Sequence, residues 1–429
     1  MNFYSTKNKS QAWSFKDAVI QGLAPDGGLF MPEKINPFPK DFFSNTHKKS
    51  FADLSFEVAR QLIGDEIPAD VLRGIVDRTV NFDVPLVQLD PNVWAVELFH
   101  GPTLAFKDFG ARFLAGLMGH LAQGQQREIV VLAATSGDTG SAVANGFYNV
   151  KGVRVIILYP SGKVSPLQEK QLTTLGGNIV AWEVQGTFDD CQRLVKQLFL
   201  DEDLRMKYLL TSANSINLGR LIPQTFYYFY AWAQLSRFNK PVVVSVPSGN
   251  FGNLTAGVIA KRLGLPIDKF IASTNVNDVV PEYLSRQVFT PRPSKQTISN
   301  AMDVGDPSNF ARLLDLYSTA DMKVDIVGKS FTDQETRDTM RSVYKKYNYM
   351  LDPHGAVGYL GLRQFLDECG GEVTGMFLET AHPGKFSEVV EDTLGEKMKL
   401  PESLESLKGK KKQSVQVSSR FEDVKELIG

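Results

Sequence analysis

The feature that most constrains this chain is an alternation that begins near residue 129. Apolar runs of strand length at 129–134, 153–159, 179–184, 208–211, 242–246, 270–274 and 373–379 are separated by helix-like stretches at 141–148, 189–200, 254–263 and 332–347. Strands that are apolar on both faces must be covered on both faces, so the alternation predicts parallel sheets flanked by helices. Ser165-Pro166-Leu167-Gln168 adds a further helix start, a capping box with proline at the first helical position. Residues 1 to about 95 read differently. Helical patterns cover 51–62 and 68–80, Ser14-Phe15-Lys16-Asp17 reads as a capped start, and Gly22, Pro25, Gly27 and Gly28 break that helix.

A chain of 429 residues has room for two or three domains of roughly 100–200 residues each. Lys+Arg is 47 and Asp+Glu is 48, so no global charge drives it toward nucleic acid or an anionic membrane. The two cysteines, Cys191 and Cys369, lie far apart and read as buried thiols of a reducing compartment, not as a disulfide or a metal site. Five scattered histidines make no metal case. No apolar run is long enough to span a bilayer, and the first residues lack the apolar core of a signal peptide, so a cytoplasmic protein is expected. The basic run at 408–412 reads as a solvated linker to a last helix at 421–428.

Three loops could carry chemistry. Pro247-Ser248-Gly249-Asn250-Phe251-Gly252-Asn253 follows a buried strand and opens a helix. Its glycines admit a ligand close to the backbone, and a helix start offers free N–H groups to a phosphate. A plain strand-to-helix turn has the same look. It is neither a P-loop nor a dinucleotide fingerprint. Thr135-Ser136-Gly137-Asp138-Thr139-Gly140 also joins a strand to a helix and could grip a carboxylate. Its Asp-Thr-Gly resembles an aspartic protease, but that chemistry needs a second such triplet, which the chain lacks. The third loop, His100 to Gly110, sets Lys107 among Leu104, Ala105, Phe106 and Phe109, just before a helical run at 109–118. Desolvation there would lower the amine's pKa and favour attack on a carbonyl. A lysine stem lying on apolar surface, with its head in water, is the plainer alternative. Asn214 to Arg220 offers several donors and one phosphate-suited Arg, or else a capped helix start. Asp352-Pro353-His354-Gly355 reads as a turn before a helix, and His382 follows a strand end.

Taken in order, residues 98–110, 135–140, 165–170, 175–178, 212–217, 244–253, 274–278, 299–303 and 380–386 resemble one family: threonine synthase, a fold type II pyridoxal-phosphate (PLP) enzyme. The likeness runs over about residues 1–400, and 21–32 also fits it. It implies an α/β protein of two parallel-sheet lobes with a helical N-terminal domain. The boundaries expected are 1–94 for the N-terminal domain, 95–123 with 213–400 for the large PLP-binding domain, 124–212 for the small domain and 401–429 for the tail.

The same resemblance implies residue roles. Lys107 matches the lysine that holds pyridoxal 5'-phosphate as a Schiff base. Gly249, Asn250, Phe251, Gly252 and Asn253 match the cofactor-phosphate loop, and Thr380 the hydroxyl facing the pyridine nitrogen. Ser136, Gly137, Asp138, Thr139 and Gly140 match the loop around the substrate carboxylate, with Asp138 also toward the cofactor hydroxyl. Asn217, Arg220 and Lys163 are candidates for the substrate phosphate; no metal is implied. The family often begins Tyr-x-Ser-Thr-Arg where this chain has Tyr4-Ser5-Thr6-Lys7 preceded by Phe3, and Lys does not reproduce a bidentate Arg. The implied reaction turns O-phospho-L-homoserine and water into L-threonine and phosphate by β,γ-elimination and replacement. The nearest rival is a serine/threonine dehydratase of the same fold. The expected partner is the small-molecule substrate, with no nucleic acid or membrane, in a monomer or homodimer.

Overall fold

A computed structural model describes all residues from 1 to 428 except Ser136 and Gly371; Gly429 also lies outside the described residues. Two parallel sheets organise the molecule, as the apolar alternation requires. The larger has six strands in the order Ile326–Ser330, Ile267–Thr274, Val242–Pro247, Thr374–Glu379, Val93–Glu97 and Leu86–Asp90. All its pairings are parallel except the last. The smaller has Val415–Val417, Ile179–Val184, Val153–Pro160, Ile129–Ala134 and Leu209–Ser212, all parallel. Ile129–Ala134, Val242–Pro247 and Thr374–Glu379 are buried at every position, which is why they read as continuous apolar runs.

Helix ends follow local chemistry. Ser14 caps Phe15–Gln21 by accepting from the Asp17 N–H, and Gly22 ends it at φ 68°. Ser165 caps Pro166–Thr173, and its hydroxyl donates to Gln168 Oε1 at 3.0 Å while Gln168 Nε2 donates to Asp138. Helix Lys107–Leu121 packs between Ala69–Thr79 and Asp138–Phe147. A Cβ on Gly146 would lie 2.9 Å from the Ala111 carbonyl carbon, so only glycine lets Lys107–Leu121 and Asp138–Phe147 approach this closely.

Three readings of the sequence need correction. The N-terminal region is helical as expected but also holds a small antiparallel sheet, ordered Asn8–Trp13, Phe3–Ser5, Phe30–Pro32. The expected boundary after residue 94 falls inside strand Val93–Glu97, because Leu86–Asp90 and Val93–Glu97 form a hairpin on the larger sheet. The tail is not a free linker: Val415–Val417 joins the smaller sheet, and Lys412 bridges Glu169 and Glu183 at 2.6 and 2.7 Å. In addition, Cys191 is buried but Cys369 is exposed.

Candidate active site

Lys107 owes its position to the strand end beside it. The loop before it is stitched to the segment after Thr374–Glu379: the Leu98 N–H donates to the Glu379 carbonyl, that of Phe106 to the Thr380 carbonyl, and that of His382 to the Leu104 carbonyl. Asp108 closes the loop by accepting from the Thr103 N–H and hydroxyl at 2.9 and 2.6 Å. Lys107 is therefore the first residue of its helix, not a residue ahead of it. Its ammonium points inward, 3.4 Å from Asp138 Oδ2, with 17% of the side chain still exposed. Burial, first, then the Lys385 and Arg220 charges hold its pKa below the ordinary lysine range, against the pull of Asp138.

Asp138 sits at the start of Asp138–Phe147, the first helix after strand Ile129–Ala134. Its carboxylate accepts from Gln168 Nε2 at 2.8 Å and pairs with Lys385 Nζ at 3.0 Å. Burial alone would raise its pKa, but Lys385, Lys107 and Gln168 together hold it well below the usual carboxylate range. The Thr135 hydroxyl accepts from the N–H groups of Gly137 and Gly140 at 3.0 and 2.8 Å. Two donors expected for a substrate carboxylate are thus already engaged. Thr139 is partly exposed at the same helix start, and Ser136 lies outside the described residues.

Across from these, the chain leaves strand Val242–Pro247 and enters helix Gly252–Arg262 through Phe251, in the left-handed conformation at φ 61°. The N–H groups of that first turn have no acceptor within the helix, and the helix dipole adds positive potential. A Cβ on Gly249 would lie 2.6 Å from Met302 Cα, so the loop packs here only as glycine. Asn250 is held from both sides: its amide donates to the Ser215 hydroxyl and accepts from the Ser308 N–H. Asn253 Oδ1 accepts from the hydroxyls of Tyr227 and Tyr228, leaving its buried Nδ2 without a partner. Thr380 is buried at the end of Thr374–Glu379.

The expected phosphate ligands separate into three situations. Arg220 is buried, bonds through Nη1 to the Ala213 carbonyl, and keeps a buried Nε without a partner. Desolvation lowers its pKa to about 10, so it stays charged near neutrality. Asn217 has its amide taken up: Nδ2 donates to the carbonyls of Val19 and Ser212, and Oδ1 accepts from the Gly219 N–H. It fixes the helix start beneath Arg220 rather than offering a free donor. Lys163 is exposed.

Sequence reasoning missed Lys385, Gln168 and Gln171. Lys385 Nζ is fully buried and donates to the Thr103 carbonyl at 2.7 Å and to Gln171 Oε1 at 3.0 Å, besides pairing with Asp138. The available signal was a lysine in Ala381-His382-Pro383-Gly384-Lys385-Phe386, directly after a fully apolar strand. Chemically, the arrangement pairs an amine of lowered basicity, suited to imine formation with an aldehyde, with a helix start suited to a phosphate.

Comparison with known proteins bears this out at the level of class. Residues 80–378 match the family model described as pyridoxal-phosphate dependent enzyme. Residues 2–80 match the one for the threonine synthase N terminus, and 355–428 the threonine synthase C-terminal model, so the likeness extends past residue 400 into the tail. Threonine synthase of Escherichia coli is 47% identical over 94% of this chain and 94% of its own. The crystal structure of the E. coli enzyme superposes with a TM-score of 0.93 at 44% identity, covering 100% of this chain and 99% of that one. A PLP-bound threonine synthase from Brucella melitensis gives 0.94 at 35% identity, over 100% and 98%. The chain belongs to the threonine synthase family, PLP-dependent lyases of fold type II. Its cofactor is pyridoxal phosphate and its substrate a small molecule.

Proposed function

We propose that this protein converts O-phospho-L-homoserine and water to L-threonine and phosphate, with Lys107 as the cofactor-binding lysine and the proton carrier. The observation that carries the reading is the inward Lys107 amine, 3.4 Å from an ionised Asp138 and close enough to Arg220 to feel its charge. The residues fit the cofactor. Lys107 would hold its aldehyde, the N–H groups of 249–253 with Asn253 Nδ2 its phosphate, and the Thr380 hydroxyl its ring nitrogen. When bound, pyridoxal phosphate supplies an electron sink conjugated with the substrate's amino nitrogen.

The leaving phosphate is on Cγ, yet the new hydroxyl belongs on Cβ. Protons must therefore leave Cα and Cβ as phosphate departs, one must return at Cγ before water adds at Cβ, and one must finally return at Cα. A single amine held at one anchored helix start would serve all of these atoms, and the lowered basicity of Lys107 suits a group that must both take and give protons. Asp138, ionised between Lys107 and Lys385, keeps positive charge on this side of the site. Arg220, charged and with a spare N–H, grips the substrate phosphate. Lys163 adds charge from the rim, while Asn217 acts through the backbone it holds. Gly137, Asp138, Thr139 and Gly140 bound the carboxylate end. The smaller sheet and its helices, about 124–212 with the tail strand, form the lobe that closes and excludes water.

No helix among the described residues is long and apolar enough to cross a membrane, consistent with the cytoplasm as the place of action. A product assay tests the reading: phosphohomoserine should yield threonine and inorganic phosphate in equal amounts. Turnover of serine or threonine with none of phosphohomoserine would replace it with a dehydratase.

A further inference from the structure

Behind Thr380, away from Lys107, lies a second buried cluster that the reaction above does not use. Glu379 is fully buried, and neither of its carboxyl oxygens has a hydrogen-bond partner. The Asp352 carboxyl faces the same glycine as Glu379: the Gly355 N–H donates to Asp352 Oδ2 at 3.2 Å. Gly355 makes room: a Cβ there would stand 2.2 Å from Glu379 Oε1. Asp352 caps helix Pro353–Cys369, accepting from the N–H groups of His354 and Gly355 at 2.8 and 3.2 Å, and its Oδ1 lies 2.6 Å from His354 Nδ1. The other ring nitrogen, Nε2, accepts from the Ala301 N–H at 3.2 Å, which leaves the ring proton on Nδ1, facing Asp352. Ala301 and Met302 are the residues against which Gly249 packs.

Two carboxylates cannot bond to each other unless a proton lies between them. Asp352 already receives three donors, so the ionised form belongs to it and the proton to Glu379. We infer that Glu379 is a positioning residue that donates one shared proton to Asp352, and that Glu379, Asp352 and His354 tie the Thr380 end of the cofactor site to the Gly249 loop. Hydrogen bonds run from Glu379 to Asp352, from His354 to Asp352 and from the Ala301 N–H to His354, and Ala301 and Met302 then meet Gly249 by packing, so the two ends of a bound cofactor are set at a fixed separation. The other groups that face Glu379 favour the same state. Glu97 lies beside it in register on the next strand, already accepting from Tyr349 and facing His100. Burial, then Asp352 and Glu97, push the Glu379 carboxyl well above its ordinary range.

This inference rests on the roles proposed for Thr380 and the Gly249 loop, and its test does not. An infrared difference spectrum, wild type minus Glu379→Gln, should show at neutral pH the band of a buried protonated carboxyl; its absence overturns the inference. In Asp352→Asn that band should disappear at lower pH than in wild type, since a neighbouring negative charge is gone; an unmoved titration overturns the pairing. Apoprotein carrying Glu379→Gln, which keeps a neutral donor, should bind pyridoxal phosphate with a Kd within about twofold of wild type, whereas Glu379→Leu should weaken it about tenfold, the loss expected for an unmade buried hydrogen bond. Equal behaviour of Gln and Leu would reduce Glu379 to packing. Failure of the functional reading looks different: wild type would then lack the visible absorbance of lysine-bound cofactor, whatever the infrared band does.

Discussion

Two fully buried carboxyl groups mark the strand ends of the two sheets, and they are held in opposite states. Asp138, beyond Ile129–Ala134, has Lys385 at 3.0 Å, Lys107 at 3.4 Å and the Gln168 amide at 2.8 Å, and is ionised despite its burial. Glu379, the last residue of Thr374–Glu379, has the Asp352 and Glu97 carboxyls and Tyr349 about it, and is neutral. Burial raises both pKa values alike; the neighbours decide the outcome. The ionised group lies where a reaction needs steady positive charge around an amine. The neutral one lies where a ring must be seated and no charge is wanted. The pair shows that a buried acid in this fold is read from its partners and not from its depth.

The largest effect expected comes from breaking the charged cluster at its reactive member. Lys107→Ala should abolish the visible absorbance of bound cofactor and lower kcat on the order of a thousandfold or more, as loss of both nucleophile and base requires. Full activity in that variant would remove Lys107 from the site. Next, Lys385→Met should turn Asp138 toward the condition of Glu379. With one of its two ammonium partners gone, the Asp138 pKa rises, so the acid limb of the kcat profile moves to higher pH. Turnover should fall about a hundredfold, as expected when one partner of a buried ion pair is deleted. An unmoved acid limb would show that Lys107 alone suffices to hold Asp138 ionised.

Much of this was legible in the sequence, and the limits have physical causes. Strands buried on both faces, such as Ile129–Ala134 and Val242–Pro247, betray themselves by composition alone, and so did the glycine loops that follow them. The hairpin of Leu86–Asp90 and Val93–Glu97 was readable from Asp90-Pro91-Asn92 between two alternating runs, but the helical patterns before it obscured the change. Val415–Val417 was not readable: its first two residues are exposed, and only pairing to Ile179–Val184 makes it a strand. Lys107 stood out by its apolar neighbours. Its governing partners did not, because Asp138, Gln168 and Lys385 meet only after both sheets have formed. Glu379 and Asp352 escaped for the same reason, the one passing as the end of a strand and the other as part of a turn before a helix.

Glu379 also sharpens the comparison through stability. Its folded pKa lies above the ordinary 4.5, so the folded protein keeps a proton that the unfolded chain releases. Its contribution is therefore fully present below about pH 4.5 and is lost as pH rises through the folded value. Glu379→Gln has no proton to lose, so its stability relative to wild type should increase steadily with pH above that point, measured by urea unfolding from pH 5 to pH 8. A constant difference would mean that Glu379 is ionised in the fold. A smaller effect is expected at the cation near Lys107: Arg220→Ala should raise the KM for phosphohomoserine about tenfold, the worth of one charge-assisted hydrogen bond, while changing cofactor affinity less. An unchanged KM would take Arg220 out of the phosphate subsite.

The smallest effect tests whether burial is what gives Lys385 its weight. Lys412 is its half-exposed counterpart: it bridges Glu169 and Glu183 at 2.6 and 2.7 Å, with 35% of its side chain exposed. It fastens the tail to helix Pro166–Thr173, helped by the Gln413 N–H, which donates to the Thr173 carbonyl. That helix carries Gln168 and Gln171, which hold Asp138 and Lys385. The two lysines therefore act on one helix from opposite sides, one dry and one wet. Water screens the Lys412–Glu169 pair, and the buried Glu183 keeps donors from Ser161 and Ser414, so Lys412→Ala should lower Tm by only about 1–3 °C, shrinking further in high salt, and should leave kcat within about twofold. A tenfold loss of kcat at unchanged Tm would mean that the tail sets the position of Gln168, and that distance from solvent is not what separates these two ion pairs.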